Sequence, residues 1–304
     1  MEQPLAPIAL FVYNRPEHTR TTLEALKANQ GADQSDLIVF CDGARKSEDE
    51  PSVAAVRRLA HHALGFRSVQ VVERPKNLGL ANSIIAGVTD VLTRYDRVIV
   101  MEDDLLTSPF FLRYMNDGLA HYANDDRVAS IHGYTYPVRR ALPETFFLRG
   151  ADCWGWACWR RSWKMFQPNG QLLLDELEKR DLSRRFDLDG AYAFTQMLKD
   201  QIRGSNNSWA VRWHASAFLA GKLTLYPGRS LVYNTGNELS GTHGIDTKIY
   251  DVELATTPVR VGNIPVEEST VGRNAFISFR RKGSVWRSPR RLVSGVIRRL
   301  TGRA

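Results

Sequence analysis

Four buried-type residues followed without a break by three carboxylates, Val98-Ile99-Val100-Met101-Glu102-Asp103-Asp104, constrain this chain more than any other stretch. A short, uninterrupted apolar run reads as a strand covered on both faces, the habit of a parallel sheet flanked by helices. In such sheets, whatever follows the carboxyl end of a strand lines the ligand crevice. Three adjacent acids repel one another there, so they require a divalent cation, a run of donors or solvent. Hard oxygen ligands suit Mg2+ or Mn2+, which mainly bridge to phosphate oxygens, and the first reading is a metal–diphosphate site.

The residues upstream supply the rest of an α/β unit. A strand over 8–12 runs into Tyr13-Asn14-Arg15-Pro16 and a helix over 17–28, which puts Arg15 just outside the carboxyl edge of the sheet. It reads as a phosphate or base contact, against a solvated loop arginine. A strand over 37–41 ends in Asp42-Gly43, where Asp42 either bonds a base or ribose or simply makes an Asp-Gly turn. A helix over 52–63 and a strand over 68–72 follow. Lys76-Asn77-Leu78-Gly79 then leads into a helix over 80–92, a junction whose free backbone amides, with Lys76 and Asn77, favour an anion. Residues 105–122 carry helical spacing, with Thr107 or Ser108 as cap and Pro109 at the first helical position. With strands over 128–132 and 145–148, the first half reads as a regular parallel α/β unit.

The second half changes character. Residues 152–163 hold four of the seven tryptophans, and Trp209 and Trp213, one turn apart on a predicted helix, hold two more. Such a cluster is either core packing or a stacking wall for a flat, partly apolar ligand. A charged turn and helix span 180–198, with Asp187 and Asp189 at the start. Residues 235–244 carry three glycines and no apolar periodicity, which reads as a mobile lid; its His243 either donates to phosphate, completes a metal shell or faces solvent.

The net charge of +8 is uneven: residues 273–304 hold ten Arg or Lys and no acid, which leaves residues 1–272 at a formal −2. The basicity belongs to the tail, and nucleic-acid binding is not expected. Ser288-Pro289 reads as a helix start, after which Leu292, Val293, Val296, Ile297 and Leu300 share a face bordered by Arg290, Arg291, Arg298 and Arg299. That stripe suits an anionic membrane surface, the alternative being a terminal helix packed on the domain. Apolar residues make up 43% of 304, ample for a core. Cys41, Cys153 and Cys158 show no paired spacing, so the expected compartment is reducing and zinc is not expected. Residues 1–7 do not read as a signal peptide, and no run reaches the roughly 18 uncharged apolar residues of a spanning helix. A cytoplasmic protein, peripheral on the inner face of the cell membrane, is the expectation.

Phe11-Val12-Tyr13-Asn14-Arg15-Pro16, Cys41-Asp42-Gly43, Lys76-Asn77-Leu78-Gly79 and Glu102-Asp103-Asp104, in that order and at these intervals, resemble nucleotide-sugar-dependent glycosyltransferases of the GT-A fold. Within that fold the chain is similar to the N-acetylglucosaminyltransferases that initiate complex N-glycans, through Glu102-Asp103-Asp104-Leu105, Pro109-Phe110-Phe111 and Thr242-His243-Gly244. Its compactness and basic tail look more like bacterial transferases of surface polysaccharide or lipopolysaccharide assembly. The resemblance implies a Rossmann-like, mostly parallel sheet flanked by helices in one domain over 1–270, with a nucleotide-binding half (1–125), an acceptor half with lid (126–270), and a basic tail over 271–304. It implies Mn2+ or Mg2+ on Asp104, with Asp103 and Glu102 supporting the ribose and the metal's water shell. Asp42 would meet the base and Arg15 the nucleotide, UDP foremost, while His243 closes over the diphosphate. Arg15, Lys76 and the cation would stabilise the departing diphosphate.

The pattern also breaks. The related enzymes carry an Asp-Asp pair in a Trp-flanked helix, where this chain has Ala210-Val211 between Trp209 and Trp213. An inverting transferase needs a carboxylate base at the acceptor hydroxyl, and Asp152 and Asp189 are the candidates, Asp152 ahead. The partners expected are a nucleotide sugar and a glycan or lipid-linked acceptor. Two rival functions stand beside transfer: a non-catalytic carbohydrate-binding protein on the same fold, and a sugar nucleotidyltransferase, which the glycine-free Tyr13-Asn14-Arg15-Pro16 disfavours.

Overall fold

The computed structural model describes residues 4–237 and 248–286. Apolar runs bounded by turn residues build the first half as expected: β1 (Ile8–Val12), α1 (Pro16–Lys27), β2 (Asp36–Cys41), α2 (Glu50–His61), β3 (Ser68–Glu73), α3 (Leu80–Arg94) and β4 (Arg97–Glu102). All of β1 and residues 98–101 of β4 are buried, since helices cover both faces. Alternation sorts the side chains: Ile8, Leu10 and Val12 join one core cluster, Ala9 and Phe11 the other.

The chain continues as β5 (Leu105–Thr107), α4 (Phe111–His121), β6 (Val128–His132), β7 (Thr145–Arg149), β8 (Trp156–Trp159) and α5 (Arg160–Trp163). Then come α6 (Gly170–Lys179), α7 (Ser183–Phe186), α8 (Phe194–Ile202), α9 (Trp209–Leu219), β9 (Leu223–Pro227), β10 (Val232–Asn234) and α10 (Thr270–Trp286). Eight strands form one sheet in the order β3-β2-β1-β4-β8-β6-β9-β7, and β5 and β10 pair separately. Four neighbouring pairs of the large sheet are parallel, β3-β2, β2-β1, β1-β4 and β6-β9, and three are antiparallel. This is a Rossmann-like, mostly parallel sheet flanked by helices.

Three expectations are corrected. Residues 105–122 are not one helix: Leu105–Thr107 is a strand because Val232–Asn234 pairs with it, a partner that local spacing cannot reveal. The helix starts at Phe111, and the Ser108 hydroxyl donates to the Ala255 carbonyl at 2.6 Å and accepts from the Phe110 N–H at 3.3 Å. The tryptophan segment contributes a strand, β8, inserted antiparallel between β4 and β6. Trp156, 0% exposed, packs at 5.5–5.8 Å from Trp163, Trp209 and Trp213, so these four rings are core. Finally, packing does not stop at residue 270: Phe276 of α10 is buried against Tyr136, Phe146 and Tyr226. The helix expected over 288–300 lies outside the described residues.

Candidate active site

Parallel pairing of β1 with β4 brings the two loops of interest together. Phe11 is in register with Glu102, so Tyr13-Asn14-Arg15 and Asp103-Asp104 leave the sheet side by side. Arg15 Nη2 donates to Asp103 Oδ1 in a very short contact and to Asp104 Oδ2 at 3.1 Å. The Asp103 side chain is 5% exposed and that of Asp104 16%, which makes Asp104 the more accessible acid. Burial pushes the Asp103 carboxyl up to about 6, with the Arg15 charge opposing and the Asp104 charge adding to it. Burial, with the Asp104 and Asp103 charges, holds Glu102 well above the usual carboxylate range. One guanidinium thus serves a cluster of three acids and leaves it anion-rich, which favours a cation.

The loop after β3 is held by a carboxylate. Asp42, 4% exposed, accepts from the backbone N–H of Gly43 at 3.0 Å, Leu78 at 2.9 Å and Gly79 at 3.0 Å. Asn77 Nδ2 donates to the Gly43 carbonyl at 2.8 Å, locking the same two loops. Gly43 is required by closeness, since a Cβ there would lie 2.6 Å from the Lys76 carbonyl carbon. Asp42, read as either a base or ribose contact or an Asp-Gly turn, here accepts two backbone amides on Oδ1 and one on Oδ2 and so braces the Leu78–Gly79 turn. The Lys76 side chain is exposed at the mouth of that turn.

The opposite wall is the start of the segment read as a lid, held there by a strand pairing that the sequence did not indicate. Because β5 pairs with β10, the segment after β10 comes back over the acids, and Thr235 donates to the Asp104 carbonyl from its N–H at 2.8 Å and its hydroxyl at 3.0 Å. A Cβ on Gly236 would lie 2.2 Å from Asp104 Oδ2, so a larger residue there would displace the Asp104 carboxylate. His243 lies outside the described residues.

The two candidate bases part company. Val100 of β4 is in register with Trp156 of β8, so the loop carrying Asp152 lies beside the acidic strand end. Asp152 Oδ1 accepts from the Cys153 N–H at 2.8 Å, and Oδ2 lies 3.4 Å from the Tyr226 hydroxyl and 3.7 Å from His132 Nε2. His132 is 0% exposed, neither ring nitrogen has a hydrogen-bond partner, and burial lowers its pKa against the pull of Asp152. A buried neutral imidazole and a phenol therefore flank Asp152. Both stand at carboxyl ends of strands, the positional signal that could have found them. Asp189 is not brought to the acids: it pairs with Arg273 at 2.8 Å in a separate cleft with Arg185 and Glu268.

Among the described residues no three His, Cys, Asp or Glu side chains converge as a metal cage. The site fits instead an ion that takes one or two carboxylates, Asp104 foremost, and fills its remaining positions with phosphate oxygens and water, the habit of Mg2+ and Mn2+.

Residues 8–175 match the family described as Glycosyl transferase family 2. No curated protein matches the sequence. Among solved structures, the chain is similar to the mannosyltransferase from Pyrobaculum calidifontis in complex with GDP-Man and Mn2+, at 15% identity and TM-score 0.31, over 44% of this chain and 36% of that one. It is similar to residues 1–349 of S. aureus TarS, at 11% identity and TM-score 0.40, over 76% of this chain and 61% of that one. Glucosyl-3-phosphoglycerate synthase from Mycobacterium tuberculosis, in complex with Mn2+, UDP and glucosyl-3-phosphoglycerate, aligns at 13% identity and TM-score 0.33, over 58% of this chain and 67% of that one. The chain thus spans 36% and 61% of the first two structures, less than two thirds of either. With more than half of its length matched by the family, and the acids, the arginine and the bracing aspartate assembled at one sheet edge, the chain belongs to glycosyl transferase family 2 and has the GT-A fold of nucleotide-sugar-dependent glycosyltransferases.

Proposed function

We propose that this protein transfers a sugar from a nucleoside diphosphate sugar, UDP-sugar foremost, to a glycan or lipid-linked acceptor in bacterial surface polysaccharide or lipopolysaccharide synthesis, with inversion at the anomeric carbon. The observation that carries the reading is the juxtaposition of Glu102-Asp103-Asp104 and Arg15 with Asp152 across adjacent strands β4 and β8. Asp104 would hold Mn2+ or Mg2+ together with the donor's phosphates, and the cation would supply charge neutralisation for the departing diphosphate. Arg15 and the exposed Lys76 add positive charge on the same side. Asp152 takes the proton of the acceptor hydroxyl as it attacks, and Tyr226 fixes the carboxylate's orientation. Asp189, tied to Arg273, is the second candidate for the base. The residues of the basic tail hold the enzyme at an anionic membrane surface, His243 closes over the diphosphate, and the setting is cytoplasmic.

Nucleotide release measured with UDP-, GDP- and dTDP-sugars, with and without Mn2+, tests this. Turnover with one donor that requires Mn2+, is abolished in Asp104→Asn and is lost on transfer but retained in donor binding for Asp152→Asn is the expected pattern. Absence of turnover and binding with every donor would refute it and favour a non-catalytic carbohydrate-binding role. Normal transfer in Asp152→Asn and loss in Asp189→Asn would move the base to Asp189.

A further inference from the structure

The second cavity of interest, about 390 Å³, is lined by Tyr192, Gln196, Met197, Tyr250, Phe279 and Arg280 among others. Arg280 reaches it from α10, with its guanidinium carbon 4.0 Å from the Tyr192 ring centroid, 4.4 Å from that of Tyr136 and 5.4 Å from that of Tyr250. It donates to the Tyr250 hydroxyl at 2.8 Å and, in a very short contact, to the Tyr136 hydroxyl. Its Nε is buried and has no hydrogen-bond partner. Among the described residues no carboxylate forms an ion pair with it. Among the described residues its direct partners are hydroxyls and ring faces, so the half-buried guanidinium keeps its charge and has no anionic side chain against it.

The contrast with the neighbouring cleft is informative. There the half-buried Arg273 is neutralised by Asp189 at 2.8 Å and Glu268 at 3.8 Å, and the exposed Arg185 pairs with Glu268 at 3.1 Å. The acid on the rim of the Arg280 cavity, Asp200, is engaged elsewhere, by Arg203 at 2.7 Å. Burial works against the Arg280 charge, while the tyrosines and the nearby Asp152 favour it. Packing links the cavity wall to Asp152: Arg280 lies over Tyr136, which packs with Phe276 against Tyr226, whose hydroxyl is 3.4 Å from Asp152 Oδ2.

We infer that the tyrosine-caged Arg280 is an anion subsite that binds a phosphate or carboxylate group carried by the acceptor. Its acceptor assignment rests on the transfer reaction proposed above; the anion site itself does not. The aromatic walls suit a sugar ring beside the charged group, with the ring's apolar faces against Tyr192 and Tyr250. A phosphate on the acceptor sugar and a uronate carboxylate present the same oxygens, and the assay separates them.

The test uses the full-length protein saturated with UDP and Mn2+, and measures binding of inorganic phosphate, glucose 1-phosphate, glucuronate and methyl α-D-glucoside by calorimetry. The expected result is that phosphate and at least one charged sugar bind, and that the charged sugar binds at least tenfold more tightly than the neutral glucoside. Preference for glucose 1-phosphate or for glucuronate identifies the group. Arg280→Gln is expected to weaken the charged ligands about 10- to 100-fold, as loss of charge-assisted bonds does, and Arg280→Lys to restore most of the loss. Equal affinity for charged and neutral sugars in the unaltered protein overturns the inference, and that comparison needs no variant to fold. Undiminished phosphate binding in Arg280→Gln also overturns it, as does phosphate binding seen only when UDP and Mn2+ are left out, which would put the anion in the donor site. Donor turnover, read separately, bears on the transfer reaction alone: if it is absent while Arg280-dependent anion binding persists, only the acceptor assignment falls.

Discussion

Asp42→Asn tests how the nucleotide half is built. The two carboxylate oxygens serve three backbone donors, Gly43 and Leu78 on Oδ1 and Gly79 on Oδ2, all within 3.0 Å. Asparagine keeps the shape and exchanges one acceptor for an NH2 donor. If its oxygen stays at the Oδ1 position, the Gly79 N–H faces another donor; if the amide flips, Gly43 and Leu78 both do. Leaving one buried donor unsatisfied costs roughly 1–3 kcal/mol, and the surviving bonds lose their charge assistance, so the total is about 2–4 kcal/mol. For a chain of this size that lowers the unfolding midpoint by roughly 3–7 °C. Circular dichroism on heating measures the midpoint, and calorimetry with UDP and Mn2+ measures the affinity. Both should fall together, because the turn that loosens is the one beside the proposed diphosphate position. A normal midpoint with lost UDP affinity would refute the bracing role and return Asp42 to direct contact with the nucleotide.

Trp156→Ala, which empties the centre of a four-tryptophan cluster, should cost about 3–5 kcal/mol in urea unfolding; a loss under about 1 kcal/mol would mean that the cluster collapses to fill the space. His132 has a folded pKa lowered by burial, so its contribution to stability is present above the ordinary histidine value of about 6.5 and is lost as pH falls through the lowered folded value. Replacing His132 by Phe should therefore shrink the drop in unfolding free energy between pH 7.5 and 5, and an unchanged drop would contradict the assignment. Asp103, pushed up to about 6, has the opposite sign: its contribution is present below about 3.9 and lost as pH rises through 6. Deleting residues 289–304 should lower binding to anionic liposomes while leaving donor turnover in solution; undiminished binding would exclude the tail as the anchor.

The acidic strand end and Arg15 were legible because each follows an apolar run that only a buried strand explains, and parallel strands deliver their carboxyl ends to one edge. What joins them to the rest was not. The β5–β10 pairing that brings Thr235 to Asp104 spans 131 residues, and no local pattern reports it. β8 was hidden by its composition, since Trp156-Ala157-Cys158-Trp159 reads equally as a packed cluster and as a strand. Asp42 was picked out by position, yet the sequence could not say whether its oxygens face a ligand or the amides of the next loop. The Tyr226 and His132 flanks of Asp152 depend on how β6 and β9 pair, a choice made by tertiary packing.

β4 is zipped to β1 along one edge and to β8 along the other, through register pairs that include Ile99 on both sides. Spreading the donor and acceptor regions apart would tear backbone hydrogen bonds in the middle of a continuous sheet. Among the described residues, the sheet therefore has no hinge between β4 and β8. Opening and closing fall to the crevice loops, and the fixed spacing of β4 and β8 sets where the loops carrying Asp104 and Asp152 are anchored.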